Sequence, residues 1–247
     1  MTTRVALITG GTGGIGTAIV KQMHQLGHKV VTNYRNQEKT DAWLEKLQAE
    51  GVMGVTTVRC DICDAAACQD MVQLIETEVG PIDILVNNAG ITRDSTFHKM
   101  KAEDWNDVIN TNLSAVFNVT RQVIEGMRER KWGRIVQISS INGQKGQYGQ
   151  ANYAAAKAGM HGFTISLAQE NARYGITVNT VSPGYVGTDM VMAVPQQVRD
   201  KIVAQIPLGR LGRPDEIAHA VSFFADDRSA WVTGANLAIN GGHYMGW

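Results

Sequence analysis

Cysteine is scarce in this 247-residue chain: Cys60, Cys63 and Cys68 are the only three. They form no even set, which argues against a disulfide framework. Cys60 and Cys63 do spell C-x-x-C. A zinc or redox site would need a second ligand pair or a thioredoxin-like setting, and the six histidines are scattered singly. The cysteines are therefore read as structural, and no metal is expected. Excess charge of either sign is also missing, with 23 basic residues against 23 acidic ones. That balance argues against nucleic acid or an anionic membrane as a partner held by bulk charge. No apolar run approaches a membrane span, and the opening MTTRVALITGG is too brief for a secretory signal. A cytoplasmic protein is the expectation. Repeats, low-complexity tracts and linkers are absent, and the five prolines are spread out. One continuous domain over residues 1–247 follows, long enough to bury a sizeable core.

What is present is alternation. Short β-rich runs at Val5–Thr9, Lys29–Tyr34, Val55–Cys60, Ile82–Val86, Arg134–Ser139, Thr177–Val181 and Asn236–Ile239 read as strands. Helical patterns fill the gaps: Gly14–Leu26, a stretch ending near Glu50, Ala65–Val79, one long helix over Trp105–Arg130 interrupted by no proline, Tyr153–Tyr174, Gln196–Gln205 and Asp215–Phe224. Such alternation predicts the α/β class, a single doubly wound (Rossmann-type) parallel sheet with helices on both faces. Ligands in such sheets sit beyond the carboxyl ends of the strands.

The stretch SSINGQKGQYGQANYAAAK, residues 139–157, concentrates reactive groups: a hydroxyl at Ser140, a phenol at Tyr153 and an ammonium at Lys157. Four residues apart in an Ala-rich run, Tyr153 and Lys157 share one helical face. A cation at ~4 Å in an effective dielectric of ~20 is worth ~4 kcal/mol. At ~1.36 kcal/mol per pKa unit, that suffices to bring a phenol from ~10 towards ~7. The alternative is a surface helix with an unrelated Tyr and Lys.

The first strand runs into Thr9-Gly10-Gly11-Thr12-Gly13-Gly14-Ile15-Gly16 and then a helix. Gly11, Gly13 and Gly16 satisfy G-x-G-x-x-G, and Gly10, Gly14 and Gly16 a second register, T-G-x-x-x-G-x-G. Glycines let a backbone approach a pyrophosphate, and the helix start supplies free N–H groups and a positive dipole end. At the end of the second strand, where an NAD site usually carries an acid, stands Asn33-Tyr34-Arg35. Arg35 suits a 2′-phosphate and favours NADPH, with NADH still usable given Glu38 and Asp41 close by.

The glycine turn, Asn87-Asn88-Ala89-Gly90, Asn112, Ser140, Tyr153-x-x-x-Lys157, Pro183-Gly184 and Asn240-Gly241-Gly242 together resemble the short-chain dehydrogenase/reductase family over the whole chain. Four passages, NNAGITRD, FNVTRQVIEGM, KWGRIVQISSINGQKGQYGQANYAAAKAGMHGFT and VNTVSPGY, look most like its bacterial acetoacetyl-CoA reductases of polyhydroxybutyrate synthesis. The 3-oxoacyl-acyl-carrier-protein reductases are close relatives.

The resemblance implies the following roles. Tyr153 would donate a proton to the substrate carbonyl, and Ser140 would stabilise the charge on that oxygen. Lys157 would hold the nicotinamide ribose and lower the Tyr153 pKa. Asn112 would kink its helix and complete a proton relay through a water. Thr12, Gly13, Gly14 and Ile15 would lie on the phosphates, Asp61 and Ile62 beside the adenine, and Asn88, Ala89 and Gly90 along the adenosine ribose and diphosphate. Pro183, Gly184, Val186 and Thr188 would support the nicotinamide. An acyl-CoA thioester would meet Asp94, Gln147, Tyr148, Gln150 and Tyr185. Residues 187–207, with Met190, Met192 and Val194, would form a flap over it or a small helix packed on the core. Arg128, Arg130, Lys131 and Arg173 could greet coenzyme A phosphates or an acidic carrier, or simply cap helix ends. A homotetramer is the family habit. A rival of another class is a dinucleotide-sensing module without catalysis, which Ser140, Tyr153 and Lys157 speak against.

Overall fold

The computed structural model describes residues 2–246, with the side chain of Met190 also outside the description. In β1 (Val5–Ile8) every residue is buried, because both faces of the strand are covered. Val5 and Leu7 enter one hydrophobic core and Ala6 and Ile8 the other, the two-residue period of a strand between two layers. The first core packs under α3 (Ala65–Glu78), α5 (Ala115–Arg130) and α7 (Ala151–Asn171). The second lies under α1 (Gly14–Gln25), α2 (Gln37–Ala49) and α10 (Pro214–Ala225).

Seven parallel strands make the sheet, in the order β3-β2-β1-β4-β5-β6-β7. The others are β2 (Lys29–Tyr34), β3 (Thr56–Arg59), β4 (Ile82–Asn87), β5 (Gly133–Ile138), β6 (Ile176–Pro183) and β7 (Asn236–Ile239). The chain reverses its direction of growth between β1 and β4, which opens a crevice at their carboxyl ends. The expected doubly wound sheet is what forms.

Two departures from the sequence reading matter for the site. The single helix expected over Trp105–Arg130 is three pieces, α4 (Ala102–Ile109), a π-helical turn at Asn110–Ser114, and α5, with the break at Asn112, where the resemblance implied a kink. No proline or glycine marks that break; it follows the burial of Asn112. A short helix, α6 (Ile141–Lys145), also stands where only a loop was anticipated, with Ser140 as its N-cap. The segment after β6 folds into two short helices, α8 (Asp189–Met192) and α9 (Gln196–Val203).

Candidate active site

A cleft of about 600 Å³ runs along the carboxyl edge of the sheet, from Arg35 and Asp61 past the glycine turn to Ser140, Tyr153, Lys157 and Pro183. The crevice is held open by side chains that tie strand exits together. The Asn88 amide donates to the carbonyls of Thr9 and Gly10, both at 3.0 Å, joining the ends of β4 and β1. Asn33 accepts from Gly10 N at 3.0 Å and donates to Cys60 O at 3.0 Å, joining β1, β2 and β3. Asn33 is thereby committed to the frame.

The glycine turn is shaped by closeness. Gly10 has φ +65°, and a Cβ there would stand 2.9 Å from Ala89 Cα. A Cβ on Gly16 would stand 2.8 Å from Asn88 Nδ2, so α1 begins directly against the β4 loop. The N-cap of α1 is Gly13, and no side chain satisfies its first N–H groups. Uncapped N–H groups, a dipole end and a backbone stripped of side chains fit an elongated ligand carrying a diphosphate. At the far lip Arg35 and Asp61 face each other at 3.9 Å, both well exposed. No carboxylate ends β2.

The reactive groups come from three elements. Ser140 follows β5 and its Oγ accepts from Asn142 N at 3.1 Å. Tyr153 and Lys157 descend α7, and the Lys157 Nζ donates to the Ile138 carbonyl at 2.7 Å. Asn112 is fully buried; its amide accepts from Ile91 N and donates to Ile91 O, both at 2.8 Å. A Cβ on Gly90 would fall 2.9 Å from Asn112 Oδ1 and 3.5 Å from Lys157 Nζ. Gly90 is thus the thin wall across which those two residues meet.

The electrostatics correct the sequence expectation. The Lys157 ammonium lies 5.7 Å from the Tyr153 ring centroid and donates to the Ile138 carbonyl. Burial pushes the Tyr153 phenol up, and the neighbouring Ser140 hydroxyl offsets only part of that; the Asp94 carboxylate adds to the rise. Burial also brings Lys157 down to about 8. Tyr153 is therefore a protonated phenol at neutral pH, the form a proton donor must have.

Of the residues assigned to a cofactor, all line this cleft except Val186, whose side chain is buried in the second core. Asn33, Thr111, Ser139 and Asp189 also line it and were not singled out from sequence. Ser139, Thr111 and Asp189 are immediate neighbours of residues that were. The candidate substrate contacts lie outside this cleft, apart from Ser140. Gln147 and Tyr148 line a separate hollow of about 290 Å³ with Phe97 and His98. Gln150 donates to Asp94 at 2.8 Å and accepts from Asn142 at 2.8 Å, bridging the loop after β4 to α6. Tyr185 stacks on His243, their ring centroids 5.8 Å apart. The basic clusters sit where β5 and β6 begin, the opposite edge of the sheet. Arg128 binds Asn171 and Tyr174, Arg173 binds Tyr174, and Arg130 binds the Ile82 carbonyl. No group of His, Cys, Asp and Glu suited to a metal ion occurs among the described residues, and none of their helices is long and apolar enough to cross a membrane.

The short chain dehydrogenase family model matches residues 4–199. Acetoacetyl-CoA reductase of Cupriavidus necator is 52% identical over 247 residues, 100% of both chains. The enzyme of the same name from Allochromatium vinosum is 54% identical over 98% of this chain and 99% of its own. The 3-oxoacyl-[acyl-carrier-protein] reductase of Escherichia coli is 46% identical over 98% of each. A parallel sheet with a glycine-cradled cleft, Ser140, Tyr153 and Lys157 at its inner end, and likeness along the full chain lead to one conclusion: this chain belongs to the short-chain dehydrogenase family, oxidoreductases that use a nicotinamide dinucleotide.

Proposed function

We propose that the chain reduces acetoacetyl-CoA to (R)-3-hydroxybutyryl-CoA, supplying polyhydroxybutyrate synthesis in the cytoplasm. The observation that carries the reading is full-length identity of 52–54% to acetoacetyl-CoA reductases, joined to a complete Ser140–Tyr153–Lys157 set at the inner end of the cleft. The glycine turn and the start of α1 hold the diphosphate, Asp61 and Ile62 flank the adenine, and Asn88, Ala89 and Gly90 line the sugar. Pro183, Gly184 and Thr188 support the nicotinamide ring, which supplies a hydride when bound. Tyr153 gives its proton to the ketone oxygen, and Ser140 donates a hydrogen bond to that oxygen as charge builds on it. Lys157 binds the ribose hydroxyls, and Asn112 keeps Gly90 and the Lys157 ammonium in register.

The segment over residues 187–207 closes over the thioester. It is anchored at its base by Gly187 N to Gly212 O at 2.8 Å and at its end by buried Ile206, while Met192 and Val198 between them are exposed. NADPH is the preferred cofactor, supported by Arg35 and by the absence of an acid at the end of β2. Exposure of Arg35 limits the effect: Arg35→Ala should raise the NADPH KM ~2–5-fold and leave NADH unchanged. Equal changes with both cofactors would remove Arg35 from that role.

The decisive assay follows nicotinamide absorbance with acetoacetyl-CoA and either cofactor. Absence of turnover with both would end the proposal. A second reading, reduction of 3-oxoacyl carrier-protein thioesters, draws on the 46% identity to the Escherichia coli enzyme. A higher kcat/KM for the carrier-protein thioester than for the coenzyme A thioester would favour it.

A further inference from the structure

His161 lies one turn beyond Lys157 on α7, so the two share a helical face. Its Nε2 is 2.9 Å from Ser139 Oγ and 3.5 Å from Ser182 Oγ. A hydroxyl has one proton to give. Ser139 Oγ gives its proton to the Lys157 carbonyl at 2.8 Å, and a carbonyl can only accept. Ser182 Oγ gives its proton to Asn236 Oδ1 at 2.7 Å. Both serine oxygens therefore face His161 as acceptors, and the hydrogen between them belongs to Nε2. A main-chain carbonyl thus dictates the imidazole tautomer. Burial lowers the His161 pKa, and a second proton on the ring would stand one turn from the Lys157 ammonium. The ring is a neutral Nε2–H donor.

This donor sits at a junction. Ser139 is the residue before Ser140, and its N–H donates to Val181 O at 2.8 Å. Its hydroxyl ties the exit of β5 to the α7 backbone at the residue that carries the ammonium. Nearby, a Cβ on Gly143 would fall 2.8 Å from the Lys157 carbonyl carbon, so α6 is pressed onto α7 at that same peptide. Ser140 belongs to the strand side of this joint, and Tyr153 and Lys157 belong to the helix side.

We propose that His161 is a positioning residue for reduction: by holding the Ser139 hydroxyl on the Lys157 carbonyl, it sets Ser140 against Tyr153. The inference rests on the Ser140–Tyr153–Lys157 reading above and assigns His161 no contact with substrate or cofactor. A small misplacement of reacting groups costs up to ~100-fold in rate. His161→Leu should therefore lower kcat ~10–100-fold and raise the cofactor Kd by much less, because the turn at Gly10–Gly16 that holds the diphosphate belongs to β1 and α1, outside the joint. His161→Gln, which keeps an amide N–H near Nε2, should restore kcat to within about 3-fold of wild type. Ser139→Ala added to His161→Leu should cost little more, as members of one network are non-additive.

Independently of activity, long-range ¹H–¹⁵N spectra of the wild-type protein should show the Nε2–H tautomer at His161. An Nδ1–H tautomer, a wild-type kcat in His161→Leu, or equal losses of kcat and cofactor affinity would each overturn the inference. Wild-type turnover and an inactive Tyr153→Phe control separate these outcomes from failure of the reductase reading itself.

Discussion

Tyr153 and Lys157 sit where burial favours the uncharged form of each. For the phenol that is the form its proposed role requires, since a proton donor must arrive carrying its proton. Tyr153→Phe keeps the ring and removes that proton, and should cut kcat ~10²–10⁴-fold with cofactor binding intact. A variant with wild-type rate would clear Tyr153 of the role. For Lys157 the effect reaches stability. An unfolded lysine titrates near ~10.4, whereas the native one titrates at about 8. Between those values the unfolded chain holds a proton that the native chain has released, so stability rises with pH across the window. Below about 8 both states are protonated and the full penalty applies, ~3 kcal/mol at ~1.36 kcal/mol per unit. Lys157→Met should therefore abolish activity yet resist urea better than wild type at about pH 7, less the lost bond to Ile138, with the gap closing by about pH 10. A gap that widens with pH would contradict the sign.

At the scale of elements, the π-helical turn places Asn112 where a regular helix would carry it past Ile91. Its amide makes two buried hydrogen bonds to one residue, and leaving those partners unsatisfied costs ~1–3 kcal/mol each. Asn112→Ala should lower the thermal midpoint and also depress kcat, because the Ile91 loop and Gly90 lie against Lys157. A drop in stability with kcat unaffected would confine Asn112 to folding. What was legible in advance follows a clear physical division. The alternation of Val5–Ile8 and the turn at Gly10–Gly16 depend on local pattern, and both read directly from the chain. The break at Asn110–Ser114 depends on a partner 21 residues away in sequence, so only the family resemblance at Asn112, and no local pattern, pointed to it. The direction of the Tyr153 shift was likewise hidden: spacing along α7 put a lysine beside it, but burial comes from the folded surroundings. Gln150 and Asp94 were assigned to an acyl-CoA thioester, and only the fold shows that they bind each other.

For the molecule as a whole, the described surface carries large apolar side chains on α5, α7 and the C-terminal tail. Phe117 on α5 is 56% exposed and Ile165 on α7 is 49% exposed, with Met245 of the tail at 78%. Desolvating such groups favours association, and a tetramer is the expected state. Sedimentation equilibrium should return four times 26.9 kDa at micromolar concentration. A stable, active monomer would refute it.

The hollow formed by Gln147, Tyr148, Phe97 and His98 is built from a loop and the single 3-10 turn Phe97–Lys99, whereas Ser140, Tyr153 and Lys157 ride on a strand exit and a helix. Under the assignment of Gln147 and Tyr148 to the thioester that the resemblance implies, recognition of its carrier can drift by loop replacement while Ser140, Tyr153 and Lys157 stay put. On this architecture, exchanging loops 94–99 and 147–150 between a coenzyme A enzyme and a carrier-protein enzyme is the natural route to trading one clientele for the other.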